Sequence, residues 1–347
     1  MAGKFNHAQL QETVLGNTGA ARDTVTQGAA FGVDVSVIST GNGQAIALTS
    51  DPLSYLPTLG LQESAWLSVH LMANDMATTG FAPMYAQMVL NLNENLSSAE
   101  VAGYWQYIHE YCKRIGVSIT GGHTGLVYNQ STTIAGGGTM MLTAPLERIL
   151  TSAMAKAGDA IVVTGYCAMS ASAILALSFP SHVKNAIGNE AWRTASDMFY
   201  QTSSLKAALI AAEPHNGDYP VHAMHDVTEG GVMGAIAEMA IASGLGVIVD
   251  DNRLPHHPVT DAVCKLFDID PRFVVGAGAT IIAVAPEYAG ILTERLRATG
   301  TSAVTIGSFT SEMHHQWLYN GATNELPYYD TDPYWAAFAN ALKRQLT

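Results

Sequence analysis

Between Val33 and Gly80 the apolar residues change period, and that change constrains the fold more than any other feature of the chain. Val33, Val35 and Val37 alternate with Asp34 and Ser36, the period of two of a half-buried strand. Gly41-Asn42-Gly43 supplies turn chemistry, and Ala45-Ile46-Ala47-Leu48-Thr49 returns as a second strand that ends at Ser50-Asp51-Pro52. Residues 62–79 then take the helical period, with Trp66, Val69, Ala73, Met76 and Ala77 on one stripe and Gly80 as the stop. Asp75 falls about half a turn out of phase with Trp66 and points away from that stripe. A chain that alternates the two periods builds layers of sheet and helix.

The alternation continues. Tyr85–Leu90 reads as a strand, and Ser97-x-x-Glu100 has the spacing of a capping box that opens a helix running to Gly116. Val117–Thr120 is a short strand leading into Gly121-Gly122-His123-Thr124-Gly125, and residues 131–143 form another. Ala144-Pro145 marks a boundary between a domain at 1–145 and one at 146–347. Beyond it, strands are expected at 160–164, 221–224, 246–249, 279–285 and 302–306. Helices are expected at 170–178, 191–212 and 288–299, with one more opening at His225–Gly231 and ending at Gly244. This order predicts an α/β (α+β) chain with two mixed domains rather than one doubly wound sheet, in keeping with 347 residues at about 150 per domain.

Composition narrows the function. Charged residues are only 13% and the net charge is −13, so a nucleic-acid or anionic-lipid surface is excluded as a bare partner. No apolar run reaches the ~18 residues of a membrane span, and the first residues lack the pattern of a secretion signal. The expected compartment is the cytoplasm. Cys112, Cys167 and Cys264 are odd in number and far apart, which supports reduced thiols rather than a disulfide framework or a zinc site. Neither a GxxxxGK[ST] loop nor a strand-linked GxGxxG fingerprint occurs.

Three acids stand where elements end or turn outward: Asp34, Asp51 and Asp75. Each alone reads as a solvated acid or a local cap. Together they are the oxygen donors a Mg²⁺ carrying polyphosphate would need. Gly121–Gly125 follows a strand and is either a tight turn or a nest of backbone N–H groups for an anion. Gly136-Gly137-Gly138 interrupts a strand and reads as a bulge or a close backbone approach. In His225-Asp226-Val227-Thr228-Glu229-Gly230-Gly231, Asp226-x-x-Glu229 has capping-box spacing. The glycine pair there would let a ligand approach the helix N-terminus.

In order along the chain stand Gly32-Val33-Asp34-Val35-Ser36-Val37-Ile38, Thr49-Ser50-Asp51-Pro52, Ala73-Asn74-Asp75-Met76-Ala77-Thr78, Gly121-Gly122-His123-Thr124 and His225–Gly231. That series resembles the aminoimidazole ribonucleotide synthase-related (PurM-like) superfamily of ATP-dependent enzymes. Within it the series is most similar to the HypE-type hydrogenase-maturation carbamoyl dehydratases. The resemblance implies a two-domain PurM-like fold, an N-terminal mixed sheet that pairs in a homodimer, and ATP in the dimer cleft. It implies Asp34, Asp51 and Asp75 as ligands of Mg²⁺, and Asp51, Asn74, Gly121, Gly122, His123, Thr124, Gly230 and Gly231 as nucleotide contacts. It implies catalytic roles for Asp75, His225, Asp226 and Glu229. The implied reaction is phosphorylation of an amide or carbonyl oxygen by Mg-ATP. A thiamine-monophosphate-kinase-like activity and a non-catalytic nucleotide-binding dimer are the alternatives. Implied partners are nucleotide, a small-molecule substrate, a second copy and a maturation-type protein. Three departures stand out, the first being that no glycine-rich N-terminal loop with a catalytic lysine or cysteine is evident. Val33 occupies the place of a second acid beside Asp34, and Ala339–Thr347 carries no cysteine, so this chain is not expected to carry a thiocarbamate on itself.

Overall fold

The computed structural model, which describes residues 3–128, 133–329 and 331–347, divides into two units. One comprises Asp23–Gly28 and Val35–Ile149; the other comprises Met1–Arg22, Ala29–Asp34 and Leu150–Thr347. The division differs from a single cut at 145/146. Lys4 and Asp34 bond to residues beyond position 220, and this ties the two early segments to the second unit. That unit opens on a one-turn helix α1 (His7–Leu10), closed by a reciprocal Asn6/Gln9 capping box.

The first unit holds β1 (Val25–Gln27), β2 (Ser36–Gly41), β3 (Gln44–Ser54), α2 (Leu61–Ala77), β4 (Tyr85–Asn93), α3 (Ser98–Arg114), β5 (Ser118–Val127) and β6 (Ile134–Pro145). Its sheet runs β1-β2-β3-β6-β4-β5, antiparallel except for the parallel pair β4–β5. Alternation puts Ala45, Ala47 and Leu53 of β3, Met88, Leu90 and Leu92 of β4, and Met140 and Leu142 of β6 into one core with Val69, Met72 and Met76 of α2. The Ser97/Glu100 capping box opens α3 as the spacing predicts.

Two local expectations change. The hairpin strand begins at Ser36, so Val33 and Asp34 lie outside regular pairing. Gly121–Gly125 is neither a turn nor a loop: β5 runs through it, paired with Gln87–Asn91 of β4 after a register shift at Ala86/Gln87. A Cβ on Gly122, where φ is +147°, would stand 1.8 Å from the Met88 carbonyl oxygen, so that glycine serves strand approach. Gly136 meets the Val89 carbonyl in the same way, which is the close approach expected of the Gly136-Gly137-Gly138 run. The expected start of that strand at 131 lies outside the described residues.

The second unit contains β7 (Ala160–Thr164), α4 (Met169–Ser178), α5 (Pro180–Ile187), α6 (Asn189–Asp197), α7 (Leu205–Ala212), β8 (Val221–Asp226), α8 (Gly231–Ser243), β9 (Gly246–Asp250) and α9 (Pro258–Leu266). It closes with β10 (Thr280–Val284), α10 (Ala289–Ala298), β11 (Ala303–Thr310), β12 (His315–Tyr319), β13 (Ala322–Glu325) and α11 (Pro333–Lys343). The sheet order is β13-β12-β9-β11-β7-β10-β8, with β9–β12 its parallel pair. β7 and β10 are wholly buried, mainly apolar strands inside the sheet. The helix expected at 191–212 is broken into α6, a 3-10 turn at Met198–Gln201, and α7. Thr202 closes that 3-10 turn, its backbone N–H and its hydroxyl both donating to the Phe199 carbonyl, at 3.2 and 2.6 Å. The α/β class with two mixed sheets holds. Among the described residues no helix is long and apolar enough to cross a membrane.

Candidate functional site

In the first unit the chemistry gathers where β3 meets α2. Ala45, Ala47, Thr49, Asp51 and Leu53 share the face of β3 that turns toward the helix. From that face the Thr49 hydroxyl donates to Asp75 Oδ2 at 2.7 Å. Asp75 is therefore drawn to the seam in which Asp51 stands two residues along the strand. Asn74 beside it is wholly buried. Asp51 and Asp75 are both half-buried carboxylates, the hard oxygen donors that Mg²⁺ takes. His123 and Thr124 are exposed on β5, the edge strand of the sheet, where alternate backbone N–H groups face outward.

In the second unit a buried charge relay is built around His225, at the end of β8. Its Nδ1 lies 2.6 Å from Asp34 Oδ1 and its Nε2 lies 3.1 Å from Glu238 Oε2 on α8. The Ser152 hydroxyl reaches Asp34 Oδ2 at 3.4 Å and His225 Nδ1 at 3.3 Å, and the Asp226 N–H donates to Asp34 Oδ2 at 3.4 Å. Burial is the largest influence on His225 and opposes its charge, but Asp34 and Glu238 together outweigh it and hold the imidazole well above its ordinary range. Burial pushes Glu238 up, and the hydrogen bond from His225, followed by the charge of Lys4, brings it below the usual carboxylate range. An imidazolium with both nitrogens on carboxylates is a structural cation, with no lone pair for a metal or a proton. Asp34, His225 and Asp226 each bring one donor atom within 4.8 Å of the others. Metal binding there competes with the ion pair.

The turn after β8 is arranged differently from the expected capping box. Helix α8 starts at Gly231, its N-cap is Gly230 in the left-handed region, and neither Asp226 nor Glu229 caps it. Asp332, from more than a hundred residues downstream, accepts the Gly230 N–H at 2.9 Å and also caps α11 through the Tyr334 N–H at 2.8 Å. Burial lifts its carboxyl to about 6. Gly231 is needed for internal packing, because a Cβ there would stand 2.6 Å from the Arg272 carbonyl oxygen. Glu229 and Thr228 are held by Lys4, whose N–H donates to Glu229 Oε2 at 2.9 Å and whose ammonium donates to Thr228 Oγ1 at 2.7 Å.

Two known domain patterns fit the chain: the AIR synthase related protein N-terminal domain over residues 32–141 and the matching C-terminal domain over residues 156–318. The chain belongs to the AIR synthase related family. This AIR synthase related protein is similar to the carbamoyl dehydratase HypE of Cupriavidus necator, at 27% identity over 72% of this chain and 68% of that one. Its fold is shared with the hydrogenase maturation protein HypE in complex with ATP, at a TM-score of 0.69, 18% identity, and coverage of 94% and 93%. It is shared as well with AaThiL complexed with AMPPCP and TMP, at a TM-score of 0.67, 15% identity, and coverage of 86% and 90%. The PurM-like two-domain fold read from the motifs is thereby established.

Sequence reasoning missed Glu238, Ser152, Lys4 and Asp332. Glu238 alone carried a signal, as the one acid in the otherwise apolar run Gly231–Ser243.

Proposed function

We propose that this AIR synthase related protein is an ATP-dependent enzyme that activates an amide or carbonyl oxygen of a small molecule. The observation that carries the reading is the Thr49–Asp75 hydrogen bond, which turns Asp75 into the seam of Asp51. Those two carboxylates are the residues that would hold Mg²⁺ with its nucleotide. Bound Mg-ATP supplies a γ-phosphoryl group that converts such an oxygen into a leaving group. Thr49 orients Asp75, and the edge strand with Gly121, Gly122, His123 and Thr124 offers outward N–H groups to an anion. His225 acts as a fixed counter-charge that ties Asp34 to α8, not as a general base, because both of its nitrogens are engaged.

The three cysteines favour a free acceptor over a thiol carried on one of them. All are buried, and burial pushes Cys112 up to about 12 and the other two higher. The protein further acts as a homodimer. Ile46 and Leu48 of β3, Met141 of β6, and Tyr85 and Val89 of β4 leave an apolar sheet face partly exposed.

The test is incubation with Mg-ATP and a panel of amides, carbonyl compounds and phosphate esters, followed by mass spectrometry of the products. ADP release tied to loss of an amide or carbonyl oxygen supports the reading. Phosphate transfer onto an ester identifies a kinase instead, and binding without turnover on any acceptor identifies a non-catalytic dimer.

A further inference from the structure

A cavity of about 340 Å³ opens within the second unit, between the C-terminal end of α9 and one face of α11. Its floor follows from how α9 stops. The helix closes in a Schellman motif, with the Ile269 N–H on the Cys264 carbonyl and the Asp268 N–H on the Lys265 carbonyl. Asp268 takes the left-handed position, at φ +56°. Ile269 is thereby buried against the floor, while Asp268 stays exposed at the rim. Phe267 beside them is fixed by the His182 ring, 5.6 Å away, and the Phe179 ring, 5.9 Å away. Across from it, α11 sets Ala336 and Ala337 where larger side chains would close the space. One turn further on, the same face of α11 carries Asn340 and Arg344. Among the described residues, no hydrogen bond or ion pair engages the Asn340 amide, the Arg344 guanidinium or the His182 ring nitrogens. A preformed apolar floor with a few donors around it is the ordinary build of a small-molecule site.

We propose that this cavity binds a small monocarboxylate with an apolar body. The guanidinium fork of Arg344 takes the carboxylate through two parallel bonds, and the Asn340 amide adds a further donor. The body of the ligand covers Phe267 and Ile269. A net charge of −13 repels anions in general, and Arg344 supplies the local cation that such a ligand needs. Asp268 is the one acid on the lining, and its carboxylate at the rim disfavours a second negative charge on the ligand. Every lining residue belongs to the second unit, so the site is independent of the nucleotide reading at Asp51 and Asp75.

Ligand-observed NMR titration with 3-phenylpropionate, 3-phenylpropionamide and phenyl phosphate tests it on the unaltered chain, Arg344→Gln, Arg344→Lys and Ala337→Leu. The unaltered chain should bind 3-phenylpropionate with a Kd of about a millimolar or tighter, and the other two about tenfold more weakly. Arg344 is exposed, so Arg344→Gln keeps the fold. It should weaken the carboxylate about tenfold, the size of one charge-assisted contact, and leave the amide unchanged. Arg344→Lys should restore part of the loss. Ala337→Leu fills the cavity and should remove binding of all three probes. No binding of 3-phenylpropionate at millimolar concentration overturns the proposal. Equal carboxylate affinity in Arg344→Gln overturns it, as does unimpaired binding in Ala337→Leu. Tighter binding of phenyl phosphate than of 3-phenylpropionate overturns the monocarboxylate assignment. None of these results touches Mg-ATP binding, which is measured separately.

Discussion

Replacing His225 by leucine isolates the contribution of the buried charge relay. The side chains of His225 and Asp34 are 4% and 5% exposed, and Glu238 is 10% exposed. Leucine fills a similar volume but leaves two carboxylates facing each other with no cation between them. Removing one partner of a buried pair costs about 3–5 kcal/mol, because the remaining charge stays desolvated. For a unit of roughly 200 residues, each kcal/mol lowers Tm by about 2–4 °C, so a fall of roughly 10 °C is expected in the transition of the second unit. Scanning calorimetry with His225→Leu alone and with the triple variant Asp34→Leu, His225→Leu, Glu238→Met reads it out. The triple variant should recover most of the loss, since an apolar replacement of a buried ion pair is often neutral or stabilising. A single variant within about 1 kcal/mol of the unaltered chain, a shift at the edge of a typical mutational effect, would refute the imidazolium assignment.

His70 stacks on Trp66 at 3.7 Å, and burial, with a smaller push from Arg114, holds its pKa at about 4 against 6.5 for an ordinary histidine. The unfolded chain therefore takes up a proton below pH 6.5 that the folded chain refuses until about pH 4, so stability falls by about 3 kcal/mol as pH drops through that window. Urea midpoints at pH 7 and 4.5 should show a smaller acid loss in His70→Phe, and identical losses would contradict the assignment. Gly122→Ala should destabilise the first unit by more than the ~1–3 kcal/mol of positive-φ strain, since the added methyl also meets the Met88 carbonyl; unchanged urea stability would count against β5 running through this site. Light scattering at low micromolar concentration should return a dimer mass, and a monomer would refute pairing through the open sheet face.

What could be read from the sequence was what local physics decides. The Ser97/Glu100 box and Gly244 closing α8 follow from spacing and backbone preference, and the structure keeps them, whereas β3 does not end at Ser50-Asp51-Pro52 but stays paired with β6 as far as Ser54. The misreadings share one cause, which is tertiary pairing that overrides a local signal. Gly121–Gly125 has turn composition but becomes strand because β4 supplies a parallel partner. Asp226-x-x-Glu229 has the spacing of a cap, yet Asp332 takes over the Gly230 N–H and leaves Asp226 at the end of a strand. Helix period at 191–212 gave no warning of the 3-10 turn at Met198–Gln201 that splits the segment. At the site, the acids Asp51 and Asp75 were visible as residue types, but the bond from Thr49 that aims one of them was not. Lys4 and Glu238 lie 224 and 13 residues from the groups they serve, separations that no motif spans.

The most direct test of the account is the affinity for Mg-ATP of the unaltered chain, Thr49→Val, Asp51→Asn and Asp75→Asn, measured by calorimetry with and without Mg²⁺. The account predicts magnesium-dependent binding that weakens at least about tenfold in each acid variant, as loss of a metal-bridging carboxylate should, and by less in Thr49→Val, where Asp75 remains but is no longer aimed. No binding at millimolar Mg-ATP, or equal affinity with Asp75→Asn, would contradict it.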